Sequence, residues 1–309
     1  MQHHTVLPFR SYTLTHSDAP DMRMPLLIIL LMTCSSCAER ITARSQTPSA
    51  SDSSSPPNGW VAYPKPSDDS DALRCAKYSM REWRVVLNGE HLQIRLDTKR
   101  DHQDALPSGI TSRNVAVGSK ADRHIIRVDD GWLVGMDVGE FGGGLWWFSA
   151  NGRHSKKLSD ENVHGLANTS RGVLALVGLA HLGLDSGQVL RITDGEAFNR
   201  KIEVLADLGS APEAFVVESP DTVIIMTTMG LVRVRTSGKV EELFKTNYEL
   251  LYPNSMTLSA SGVIHVGMRL FVTRLTPTGD GYKEEWFVQP DCAKFAIRDL
   301  DCICLPRKQ

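Results

Sequence analysis

Four stretches of this chain repeat one grammar, and that repetition limits the fold more than any other feature. They are "DGWLVGMDVGEFGGGLWWFSANG" from Asp130, "RGVLALVGLAHLGLDSGQVLRITDG" from Arg171, "DTVIIMTTMGLVRVRTSG" from Asp221 and "SGVIHVGMRLFVTRLTPTG" from Ser261. Each opens on a turn, runs through β-branched and aromatic residues, breaks, runs again and closes on a glycine turn. The spacings are about 41, 50 and 40 residues. Short apolar runs precede the later units ("VHGLANTS", "APEAFVVES", "YPNSMTLS"), and others follow them ("EVLADL", "VEELF", "EEWFV"). That amounts to about four short strands per period, the pattern of a propeller blade. A lone four-stranded sheet cannot cover both of its apolar faces, whereas sheets stacked around an axis cover one another. The upstream "REWRVVLNGEHLQIRL" adds a hairpin with Asn88-Gly89 as its turn. The sequence therefore predicts an all-β protein, a β-propeller of about five to six four-stranded blades. A β-sandwich of similar length is the alternative.

Four glycines crowd Gly139 to Gly144. A phosphate-cradling glycine loop needs a helix after it, so that the helix N-terminus meets the anion. Here "LWWFS" follows, a strand by composition, so the glycines mark a hairpin tip at which positive backbone angles are needed. On that strand Trp146 and Trp147 face opposite ways. The loop carries Asp137 and Glu140, and the equivalent loop of the next repeat, "AHLGLDSG", carries His181 and Asp185. Loops of neighbouring blades emerge on one face. These four are candidates for a ligand or hard-cation site, with solvated loop charge as the alternative. Arg269 is a candidate channel cation, with a packing role as its alternative. His164, His181 and His265 are far apart in sequence, and His265 inside "VIHVGM" reads as a strand histidine.

The first 72 residues read differently. "MPLLIILLMT", residues 24–33, is too short to cross a bilayer, which takes about 20 apolar residues. Arg23 precedes it and small residues follow, the pattern of a secretion signal over residues 1–38, with Met22 or Met24 as the natural start. Cleavage after Ala38 would release a soluble protein. Lipidation of Cys34 or Cys37 would instead make an envelope lipoprotein, in the periplasm or anchored at the outer membrane. Residues 39–72, rich in Ser, Pro and Asp, read as a disordered linker, which leaves 73–309 for the propeller.

Lys and Arg number 34 against 36 Asp and Glu, so the chain lacks the basic excess of a general nucleic-acid binder. Of six cysteines, Cys75, Cys292, Cys302 and Cys304 flank the repeat region. In an oxidising compartment they are disulfide candidates, able to clasp the first and last strands of a ring.

One stretch carries a family resemblance. "YPNSMTLSASGVIHVGMR", residues 252–269, resembles the blade motif of six-bladed calcium-dependent lactonases, and NHL-type propellers share the same strand–turn grammar. The resemblance implies calcium as a cofactor and Asn254 as a ligand to it. Ser255 replaces the family's glycine, and Ser261-Gly262 its Asp-Gly turn. The expectation is an exported binding or scaffold module whose propeller face takes a protein, glycan or small molecule. The alternatives are a calcium-dependent hydrolase of the lactonase type and a structural envelope lipoprotein.

Overall fold

In each of the four repeats the opening turn falls between the first and second strands of one sheet. The computed structural model describes residues 55–97, 105–110, 121–193, 199–292, 295–298 and 301–304. The chain divides into two units, Met1–Ser53 and Ser54–Gln309, and all described residues belong to the second. The apolar run at 24–33 and Cys34 and Cys37 lie outside the described residues.

The chain begins with β1 (Val61–Tyr63), α1 (Asp71–Tyr78) and the hairpin β2 (Trp83–Asn88) and β3 (His91–Leu96). A four-stranded antiparallel sheet follows, with β4 (Asp122–Val128), β5 (Gly131–Asp137), β6 (Gly143–Ser149) and β7 (Ser155–Ser159). The next comprises β8 (Val163–Thr169), β9 (Gly172–His181), β10 (Leu184–Thr193) and β11 (Lys201–Asp207). The third contains β12 (Pro212–Ser219), β13 (Thr222–Thr227), β14 (Gly230–Arg235) and β15 (Val240–Lys245). The last contains β16 (Ser255–Leu258), β17 (Ile264–Gly267), β18 (Val272–Thr278) and β19 (Gly281–Val288), and β1 adds a fifth strand beside β19. A separate hairpin, β20 (Phe295–Arg298) and β21 (Asp301–Cys304), lies against α1.

First strands pack on first strands: β16 meets β2 and β12, β12 meets β8, and β8 meets β4. This is a β-propeller. Among the described residues its ring has five sheets, four built on four sequential strands and one, β2–β3, with two. The expected all-β propeller of four-stranded sheets is what the fold shows.

Packing explains the sequence pattern. In β9, Val173, Ala175 and Val177 join Leu133, Leu145 and Trp147 of the preceding sheet, while Leu174 and Leu176 join Val223 and Ile225 of the following one. In β13, Ile224 and Met226 turn the other way, into the cluster with Ile264, Val266 and Phe271. A strand covered on both sides reads as a continuous apolar run, which is why "TVIIMT" shows no polar alternation. Trp147 is 2% exposed in one inter-sheet core, and Trp146 packs on the opposite side with Phe148 and Ile110, as strand alternation requires. The aspartates that open the units knit the sheets together. Asp130 accepts Trp147 Nε1–H at 3.0 Å and pairs with buried Arg200, and Asp221 accepts from Ser170 and Thr236.

Three local expectations shift. Residues 55–72, inside the stretch read as a linker, are structured: Trp60 is buried and β1 pairs with β19, because Trp60, Val61 and Tyr63 supply apolar anchors among the polar residues. Helix α1 was not anticipated. Ser70 caps it, its Oγ accepting Leu73 N–H at 3.2 Å, and Ala72, Leu73, Cys75 and Ala76 are buried. The β2–β3 loop is Gly89-Glu90 rather than Asn88-Gly89, since Asn88 pairs with His91, and Gly89 takes the positive φ of 62°. Cys75 and Cys292 are buried and disulfide-bonded. The side chains of Cys302 and Cys304 lie outside the described residues.

Candidate functional site: the axial channel

The glycine-rich loop is a hairpin tip between β5 and β6, closed by a 3-10 turn over Gly139–Phe141 with Gly139 and Gly142 at positive φ. It helps to wall a cavity of about 570 Å³. The first strand of every sheet in the ring reaches this cavity: Arg84 and Val85 from β2, Asp122 and His124 from β4, His164 from β8, Glu213 from β12, and Ser255 and Met256 from β16. Asp137, Gly139, Tyr252, Asn254 and Arg269 complete much of the lining. The cavity therefore marks the propeller axis.

Charge is divided around the wall. One sector, on the β2 and β16 side, holds the arginines. Arg269 donates from Nε to Glu82 at 3.0 Å and from Nη1 to the Lys77 carbonyl at 2.9 Å, and its guanidinium lies 3.9 Å from the Tyr252 ring centroid. Leu250, Tyr252 and Leu270 surround it at φ of 65°, 52° and 63°, backbone angles that side-chain-bearing residues seldom hold. The other sector, from β5, β8 and β12, gathers Asp137, His164 and Glu213. Asp137 Oδ1 accepts Gly139 N–H at 2.7 Å, and its Oδ2 stands 3.6 Å from His164 Nδ1. His164 Nε2 meets the Gly178 carbonyl at 3.0 Å, which makes it the protonated nitrogen. Glu213 hydrogen-bonds to no described residue. Burial pushes its carboxyl up to about 7; His164 opposes the rise, and the Asp137 and Asp185 charges add to it.

The six residues singled out in the sequence fall into three groups. Asp137, Asn254 and Arg269 line the channel. Glu140 and His181 meet at 2.5 Å across neighbouring loops. Asp185 is spent on the next sheet, accepting Ala211 N–H at 2.7 Å and Thr228 Oγ–H at 2.6 Å. The four loop residues do not converge on one point. Asn254 stands on the channel wall, but its Oδ1 accepts Ser255 Oγ–H at 2.8 Å. Among the described residues no three His, Cys, Asp or Glu side chains are grouped to hold a metal ion. The donors present do not fit a calcium ion held through Asn254.

Sequence reading missed Glu82, Arg84, Asp122, His124 and Glu213, and left His164 unplaced. A signal existed for His164 and Glu213: each is the one ionisable residue near the start of a first strand that opens on an apolar run, as in "VHGLA" and "PEAFVV". His265 is a strand histidine of β17, opposite Thr257 and Arg274, and it does not line the channel. Burial, then the Arg274 charge, pulls it down to about 4.

Fold and cavity together define a β-propeller with a polar axial channel. The sequence matches no family model and no curated protein. Among solved structures, the chain is similar to the extracellular domain of a hybrid two-component system from B. thetaiotaomicron, with 11% identity and a TM-score of 0.40 over 66% of this chain. The chain spans only 27% of that domain's length. It is also similar to streptogramin B lyase, with 12% identity and a TM-score of 0.36 over 74% of this chain and 85% of the other. A third similarity is to a gluconolactonase from Xanthomonas campestris, with 13% identity and a TM-score of 0.33 over 63% and 64% of the two chains. These are likenesses of fold.

Proposed function

We propose that this chain is an exported β-propeller that binds a small polar ligand in its axial channel. The observation that carries the reading is the convergence of the first strands of all five sheets, with their ionisable side chains, on one cavity of about 570 Å³. That volume lies within the roughly 300–1,000 Å³ of small-molecule sites. The walls match such a ligand better than a broad protein surface, because the polar groups face inward toward the axis. Export is supported by the short apolar run behind Arg23 and by the two disulfide-bonded cysteines, since such bonds persist in oxidising compartments. Whether Cys34 or Cys37 carries lipid is tested by membrane-fraction recovery of Cys→Ser variants.

The ligand test is a thermal-shift and native mass-spectrometry screen of small polar compounds against the wild type and Ala180→Trp. Ala180 lines the channel, and an indole there obstructs part of it. A compound that stabilises the wild type and not the variant supports the reading. A screen in which no small molecule of any charge is retained overturns it.

A further inference from the structure

Asp137, His164 and Glu213 come from three different sheets and turn toward one sector of the same cavity. Their free valences are all acceptors. Asp137 keeps Oδ2, its other oxygen being used by Gly139 N–H. His164 commits its Nε2–H to the Gly178 carbonyl, so in the neutral ring Nδ1 is an acceptor. At 3.6 Å, Nδ1 and Asp137 Oδ2 are too far apart to be hydrogen-bonded to each other. Glu213, set deep in the wall, hydrogen-bonds to no described residue. Once Glu213 is ionised, these are three acceptors to which no described residue supplies a donor, an unfinished arrangement. The channel's arginines, Arg84 and Arg269, belong to the other sector.

A primary ammonium group has three N–H donors and one positive charge, the complement of this sector. Resting on the reading of the channel as a small-ligand site, we propose that Asp137, His164 and Glu213 receive the ammonium group of a primary amine. The raised affinity of Glu213 for its proton is consistent with the assignment: burial is its first cause, the Asp137 and Asp185 carboxylates add to it, and the opposing charge of His164 is absent in the neutral ring. Asp122 and His124 also face the cavity from β4, with Glu82, Arg84 and Arg269 on its other side. A bound ammonium supplies the missing charge, and Glu213 then gives up its proton. With Glu213 near 7, saturation at pH 7 releases about half a proton per site. The release vanishes toward pH 9, where Glu213 is already ionised.

The experiment is calorimetric titration of the full chain with n-butylammonium chloride at pH 7, in two buffers of different ionisation enthalpy. Tetramethylammonium (a cation without N–H donors) and butyrate serve as probes of the recognition. Saturable binding of n-butylammonium with proton release, and of neither other ion, supports the proposal. Glu213→Gln then weakens amine binding about tenfold or more, as the loss of a charged hydrogen bond does, and abolishes the release. Asp137→Asn weakens binding while the release remains. Equal binding of tetramethylammonium, preferred binding of butyrate, or proton release that survives in Glu213→Gln overturns the ammonium assignment. If anionic or neutral compounds occupy the channel while amines do not, this inference fails and the small-ligand reading stands. If no compound of any charge binds, both fail.

Discussion

Glu213→Gln should make the ligand-free protein more stable at alkaline pH and change little in acid. The Glu213 carboxyl sits at about 7 in the fold against an ordinary value of 4.5, so the folded chain holds this proton more tightly than the unfolded chain does. Below about pH 4.5 both states are protonated and the residue carries no penalty. Between about 4.5 and 7 the unfolded chain ionises first and stability falls as pH rises; above about 7 the loss is complete. A difference of that size corresponds to about 3 kcal/mol, a ceiling because water in the channel screens the charge. Glutamine keeps the shape and cannot ionise. At roughly 2–4 °C per kcal/mol for a domain of this size, the variant should melt about 5–10 °C above the wild type at pH 8. The two should converge near pH 4.5. Circular-dichroism melts of both proteins across that range make the comparison. A Tm difference independent of pH, or a wild type that is the more stable at pH 8, would refute the burial argument for Glu213.

Other tests address separate parts of the molecule. His265, pulled down to about 4, resists protonation in the fold, so its contribution is present above about pH 6.5 and is lost as pH falls toward 4. His265→Gln should flatten that acid limb in the same melts. Trp147→Ala, which empties the core between two sheets, should cost about 3–5 kcal/mol by denaturant titration, whereas Phe141→Ser at an 82% exposed loop tip should cost little. Non-reducing peptide mapping of the exported protein should find Cys75 and Cys292 oxidised, linked to the Cys302–Cys304 segment that lies against α1. Free thiols at either position would remove the clasp.

The propeller was legible because its blades repeat. The turn, the apolar run and the glycine break recur with one period, and a strand such as β13, buried on both sides, writes itself as "TVIIMT". The hairpin β2–β3 was legible from its glycine turn, but a single hairpin has no period to betray how many strands its sheet holds. The channel was legible only in part. Asp137, Asn254 and Arg269 stood out through a loop, a resemblance and a lone charge. His164 and Glu213 sit inside first strands, where an isolated polar residue looks the same whether it faces solvent or an axis. Only the closing of the ring brings residues 137, 164 and 213 together. Asp185 shows the opposite case: a conspicuous loop carboxylate whose hydrogen bonds hold the next sheet in place.

The strand β1 has a protective consequence. Without it, the eight residues of β19 would end the last sheet as an open edge, with backbone N–H and C=O groups offered to any other extended chain. β1 covers only Val288 to Trp286 in register, and it is itself a poor template: three residues long and followed at once by Pro64, Lys65 and Pro66. Proteolysis or truncation that removes residues up to Tyr63 would therefore leave a folded ring with a sticky rim, prone to pair with a neighbour's rim and grow into aggregates.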